Sequence, residues 1–146
     1  MSGAELRGPA VVDAGVVIGH LDTSDAHHHA ATAALAQVAG TATRLLLPAT
    51  AYAEVLVHPF RVGAAEAAQV DAALAAIPID VAALERSAAR RAAQLRAEHR
   101  SLRLPDACVI ATAVEAGAVL LCTTDRGWPG GLVESLAPAL QVLTVS

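Results

Sequence analysis

Four of the fourteen acidic residues occupy positions that a solvated charge does not favour. Asp13 interrupts the apolar run Ala-Val-Val-Asp-Ala-Gly-Val-Val-Ile, and Glu54 lies inside Ala-Tyr-Ala-Glu-Val-Leu-Val. Asp106 leads Pro-Asp-Ala-Cys-Val-Ile-Ala, and Asp125 follows Val-Leu-Leu-Cys-Thr-Thr. A carboxylate beside an apolar core is costly unless it is paired or bound to a cation. Taken singly, each has an ordinary explanation. The helix dipole favours Asp106 at a helix start, Asp125 suits a turn before Arg126-Gly127, and Asp13 could pair with an arginine. Taken together, they point to a shared site. Clustered carboxylates cannot all stay ionised without a cation. An all-oxygen donor set of this kind suits Mg²⁺ or Mn²⁺, and such an ion opens in-line phosphoryl chemistry. Setting the four aside leaves ten acids against ten basic residues, so the formal net charge of −4 resides in them.

The elements that must position these acids read as alternating strands and helices. The first half of Pro9 to Val17 reads as a buried strand. His27 to Ala39 reads as a helix ended by Gly40. Arg44 to Leu47 follows as a short strand stopped by Pro48. Thr50 can cap a helix to about His58, closed by Pro59. Gly63 opens a helix to about Ala76, and Ile77 to Val81 is a short strand. Ala82 to about Leu102 is a long helix. Pro105 or Asp106 starts another, ended near Gly117. Ala118 to Cys122 and Leu140 to Val145 complete the strands. This alternation predicts an α/β fold with a mostly parallel central sheet flanked by helices on both faces. Ligands of such sheets gather beyond the carboxyl ends of the strands.

Composition narrows the alternatives. At 146 residues the chain fits one compact domain, and 55% hydrophobic content excludes disorder. Aromatics are only 2%, so Ala, Val and Leu carry the core. All ten basic residues are arginines. Chemistry that needs a lysine, such as Schiff-base formation or a Walker-type phosphate site, is thereby excluded, and the missing lysine argues against a phosphate-accepting receiver domain. The apolar stretch Ala107 to Thr124 contains Glu115 and several threonines, so no membrane span is expected. Glu5 ahead of the only early arginine argues against a signal peptide. Cys108 and Cys122 lie in apolar segments without metal-site spacing and read as buried free thiols. A cytoplasmic location is the expectation.

The four acidic segments resemble the PIN-domain family, in particular the VapC-type toxins of bacterial toxin–antitoxin pairs. Val-Val-Asp-Ala looks like the opening motif, and Ala-Tyr-Ala-Glu-Val like the helix that carries the glutamate. Leu-Pro-Asp-Ala-Cys-Val-Ile-Ala-Thr-Ala is the most specific match. Thr123-Thr124-Asp125, followed by Arg126-Gly127-Trp128, resembles the Thr-x-Asp turn and its following aromatic. The resemblance runs through nearly the whole chain and implies a single PIN domain over residues 1–146. It implies hydrolysis of RNA phosphodiesters, with Asp13, Asp106 and Asp125 holding one or two Mg²⁺ or Mn²⁺ ions. Glu54 would help hold a metal or orient the attacking water, and Thr123 would support the ligands through its hydroxyl. One departure stands out. The family usually has Ser or Thr two residues after the first Asp, where this chain has Gly15.

The resemblance further implies a cognate VapB-like antitoxin. An apolar helix in its tail would use Val55, Leu56 and Val57, and an arginine would reach the acids. A homodimer is expected as well. The rivals are a housekeeping RNA-processing nuclease and a binding module that kept the fold without activity. On the helix from Ala82, Arg86, Arg90, Arg96 and Arg100 fall on one broad face, opposite Leu84, Ala88, Leu95 and Leu102. That stripe could contact RNA phosphates or be an ordinary solvated face. His27-His28-His29 point in three directions along a helix and cannot form one metal site. A helix-start role beside Asp25 suits them better.

Overall fold

The structure, a computed structural model, describes residues 7–146. The reading of the N-terminus around Glu5 lies outside the described residues. Five strands form one sheet: β1 Ala10–Val12, β2 Leu45–Pro48, β3 Ile79–Ala82, β4 Leu120–Thr123 and β5 Gln141–Thr144. Their order is β3-β2-β1-β4-β5, with every neighbouring pair parallel. The chain builds outward from β1 through β2 to β3, then crosses back to lay β4 and β5 on the other side of β1. Direction therefore reverses between β1 and β4, and a crevice opens beyond the carboxyl ends of those two strands.

Among the described residues, seven helices flank the sheet: α1 Ala14–Leu21, α2 His28–Thr41, α3 Ala49–Val62, α4 Ala64–Ala76, α5 Arg86–Glu98, α6 Leu104–Glu115 and α7 Leu132–Leu136. The central strands β1 and β2 are buried throughout, whereas the edge strands β3 and β5 are largely half-buried or exposed. Central parallel strands are covered on both faces, which is why Val11, Val12, Leu45, Leu46 and Leu47 read as continuous apolar runs. α6 is buried from Asp106 to Ala113. It packs against α3 and α5 and over β1, β2 and β4, which explains its apolar character all round.

Several boundaries depart from the sequence reading. The second half of the run after Pro9 is α1, which begins immediately beyond Asp13. α2 continues through Gly40 to Thr41. α3 starts at Ala49 with Pro48 before it, and it runs through Pro59 to Val62. Past the proline it closes with the Gly63 N–H donating to the Pro59 carbonyl at 3.0 Å. Thr50 makes no cap; its hydroxyl is buried without a partner. α5 is shorter than expected at both ends, and α7 is an additional short helix. Gly117, with φ +64, takes the left-handed turn that ends α6. Cys108 and Cys122 are buried free thiols, and burial pushes Cys122 up to about 12. Among the described residues, no helix is long and apolar enough to cross a membrane.

Candidate active site

Asp13 ends a strand and starts a helix. Its N–H donates to the Cys122 carbonyl at 2.9 Å, extending the β1–β4 ladder by one residue. Its backbone stays extended, and Oδ1 accepts the Ala14 N–H at 2.7 Å, which satisfies one of the free amides of α1. The other oxygen, Oδ2, accepts from the Thr123 hydroxyl at 2.9 Å. Thr123 is the last residue of β4 and wholly buried. Its Oγ also accepts the Asp125 N–H at 3.0 Å. One hydroxyl therefore ties the end of β1 to the turn that carries Asp125. That turn is fixed in its own right, since Asp125 Oδ1 accepts the Gly127 N–H at 2.7 Å.

Asp106 is the third residue of α6, in its first turn behind Pro105, and it is buried. Glu54 comes from the half-buried face of α3, which packs against both α1 and α6. The four expected acids thus meet at the reversal point of the sheet, close enough that Asp13, Glu54 and Asp106 each feel the charge of at least one other. Burial is the main reason that Asp13 sits above the usual carboxylate range, with the Thr123 and Ala14 hydrogen bonds pulling back and the Asp125 charge adding to the rise. Burial raises Asp106 too, reinforced by the charges of Asp13 and Asp125. Glu54 is raised by burial and then by Asp13 and Asp106.

Arg103 is the residue that sequence reasoning missed. Its Nε lies 3.5 Å from Asp106 Oδ2, and its charge favours the ionised forms of Asp13, Glu54 and Asp106. The Arg103 side chain is 71% exposed, so it screens the cluster from the rim without filling it. The signal was present as Arg-Leu-Pro-Asp, an i,i+3 pair across a helix start.

Among the described residues, no group of three or more His, Cys, Asp or Glu side chains is arranged, as it stands, to hold a metal ion. The acids form an open cluster of hard oxygen donors. Both oxygens of Asp13 have one protein partner each and keep lone pairs to spare. That donor set fits a divalent ion such as Mg²⁺ or Mn²⁺ better than a soft metal.

The arginine stripe lies on exposed surface. Arg86, Arg90 and Arg96 are on α5, while Arg100 falls just beyond its end. Of the expected apolar face, Ala88, Leu95 and Leu102 are buried, but Leu84 precedes the helix and is exposed. Of the three histidines, the His27 N–H donates to Asp25 Oδ1 and the His28 ring meets the Gly19 carbonyl, but the His28 and His29 rings do not diverge: they stand edge to face with centroids 5.4 Å apart.

The family model described as PIN domain matches residues 10–129. A comparison with curated proteins finds no match. Solved structures do match. One is a toxin–antitoxin complex from Klebsiella pneumoniae, with a TM-score of 0.69 at 22% identity, covering 94% of this chain and 98% of that one. Another is VapC20 of Mycobacterium tuberculosis, described as a sarcin-ricin loop cleaving toxin, at TM-score 0.65 and 15% identity over 88% and 95% of the two chains. VapBC2 from Rickettsia felis, bound to a DNA fragment from its promoter, matches at TM-score 0.68 and 11% identity over 94% and 99%. At such identities the likeness concerns the fold.

Proposed function

The chain belongs to the PIN domain family, and from that premise we propose that it is a metal-dependent endoribonuclease acting in the cytoplasm as the toxin of a toxin–antitoxin pair. The observation that carries this reading is the meeting of Asp13, Glu54, Asp106 and Asp125 near the carboxyl ends of β1 and β4, with the Thr123 hydroxyl tying Asp13 to the Asp125 amide. Asp13, Asp106 and Asp125 would hold Mg²⁺ or Mn²⁺. A bound divalent ion supplies Lewis-acid stabilisation of the charge that builds on a phosphodiester under attack. Thr123 fixes the rotamer of Asp13, so that ligand is pre-oriented. Glu54, on a separate element, would help hold a metal or orient the attacking water. Arg103 stands at the rim, where a guanidinium can pair with an RNA phosphate.

A groove of about 460 Å³ leads away from Glu54 between α1, α3 and α4. Ile18, Leu21, Val55, Pro59 and Val70 give it apolar walls, while Asp22 and Glu66 make it acidic. Val55 lines it as expected; Leu56 is buried and Val57 is exposed. An amphipathic antitoxin helix with a basic residue would match that chemistry. The fold likeness to toxins solved as antitoxin complexes supports this assignment.

The test is cleavage of labelled RNA by the purified protein in Mn²⁺. Cleavage is expected to stop on chelation and to fall at least about a hundredfold in Asp13→Asn and Asp106→Asn. Asparagine keeps the helix-capping acceptor at 13, so loss of fold is not expected. A double variant that cleaves at the wild-type rate would sink the proposal. Growth arrest on expression, dependent on Asp13 and relieved by the adjacent reading frame, distinguishes a toxin from a housekeeping nuclease.

A further inference from the structure

Gly15 occupies the second position of α1, one residue inside the acid site. The glycines with positive φ are 63, 117 and 131, so the backbone does not require glycine at 15. A glycine inside a helix costs roughly 0.5–1 kcal/mol relative to alanine, and something must offset that. The reason is space. A Cβ built on Gly15 would collide with Thr124 Oγ1 and lie 3.4 Å from its Cβ and 3.6 Å from its Cγ2. No side chain fits at 15 while Thr124 stands there. The two residues are complementary in size across the β1–β4 crevice.

Thr124 also differs from its neighbour. The Thr123 hydroxyl is committed to Asp13 and to the Asp125 amide. None of the side-chain hydrogen bonds among the described residues involves Thr124, and its side chain is half-buried beside the first turn of α1. An uncommitted hydroxyl therefore occupies the space of the Ser or Thr side chain expected two residues after Asp13.

Resting on the ribonuclease reading, we propose that Thr124 supplies the site with the hydroxyl that position 15 lacks, as a hydrogen-bond donor to an oxygen of the bound phosphodiester. Gly15 is the gap that admits it. The hydroxyl has moved from the helix start to the strand end, and its position in space is kept.

The experiment compares steady-state RNA cleavage in Mn²⁺, thermal melting and Mn²⁺ binding across a small set of variants. Thr124→Val keeps the shape and removes the hydroxyl. Its kcat/KM is expected to fall about tenfold to a hundredfold, the range for one hydrogen bond to a charged acceptor, with melting temperature and Mn²⁺ affinity unmoved. Thr124→Ser brings cleavage back. Gly15→Ser alone collides with Thr124 and lowers the melting temperature. The exchange Gly15→Ser/Thr124→Ala relieves the collision and regains at least a tenth of wild-type kcat/KM, while Thr124→Ala alone does not. Wild-type kcat/KM in Thr124→Val overturns the inference and leaves the ribonuclease reading standing. So does loss of activity accompanied by lost folding or metal binding without rescue by the exchange, which makes Thr124 merely structural. A wild-type protein that cleaves no RNA overturns both.

Discussion

The hydroxyl of Thr123 answers two demands with one atom, donating to Asp13 Oδ2 and accepting from the Asp125 N–H. It holds two like-charged residues in fixed positions although their charges oppose each other. The cost shows in the acids. Asp13, Glu54 and Asp106 all sit above their ordinary ranges, mainly through burial. A carboxyl raised on folding contributes stability that is fully present below its unfolded pKa and is lost as pH rises through its folded pKa. In metal-free protein, these three groups should therefore destabilise the fold progressively from about pH 4 upward. Asp22 is lowered by its hydrogen bonds to Ser24 and acts in the opposite sense, so the informative quantity is a difference. Denaturant unfolding of chelated wild type and Asp13→Asn across pH 4–8 should show the variant gaining relative stability as pH rises. A constant difference would remove Asp13 from the strained set.

At the level of elements, the helical pair α5–α6 separates the arginine stripe into two halves. Arg91 Nε lies 3.4 Å from Glu115 Oε1, at the end of α6 away from Asp106. Nine residues of helix rise about 13 Å, so Arg86 and Arg90, before Arg91, lie at the distant end. Arg96 and Arg100 lie toward the connection that leads to Arg103, although Arg96 also donates to the Arg100 carbonyl. Removing Arg96 and Arg100 should lower the slope of log affinity for RNA against log salt by about one to two units. Removing Arg86 and Arg90 should leave it unchanged, and equal slopes would return the stripe to ordinary surface. Gly40 offers a test of a different kind, since it is exposed within α2 and a Cβ there meets nothing within 4 Å. Gly40→Ala should stabilise by about 0.5–1 kcal/mol, or about 2–4 °C in melting temperature. The same glycine shows the limit of local reading. Gly and Pro mark ends by backbone preference, yet α2 runs through Gly40 and α3 through Pro59 because packing outweighs one unfavourable position. α1 stayed hidden inside an apolar run that suits a buried strand equally well. The acids were legible because charge within apolar sequence is conspicuous. Arg103 and Thr124 were not, since their importance lies in what stands across from them.

Over the whole molecule, the sheet order brings together residues that are far apart in the chain. A divalent ion that binds only the folded cluster should stabilise it by mass action, about 2.7 kcal/mol at a hundred times its dissociation constant. For a chain of this size that corresponds to roughly 5–10 °C in melting temperature, reversed by chelation and absent in Asp13→Asn/Asp106→Asn. A melting curve blind to Mn²⁺ would count against the metal reading. The reversal of sheet order at β1 has one more consequence. Asp13 and Thr123 are 110 positions apart, and β4 follows β2 and β3 in the chain although it pairs directly with β1. A nascent chain leaving the ribosome can pair β1 with β2 early, but Asp13 has neither its hydroxyl partner nor Asp125 until β4 and the turn after it emerge. Chains cut short before residue 123 carry the first acids and no assembled site. Synthesis order thus works as a timer: the acid cluster can assemble only after residues 120–125 have been made and released to fold.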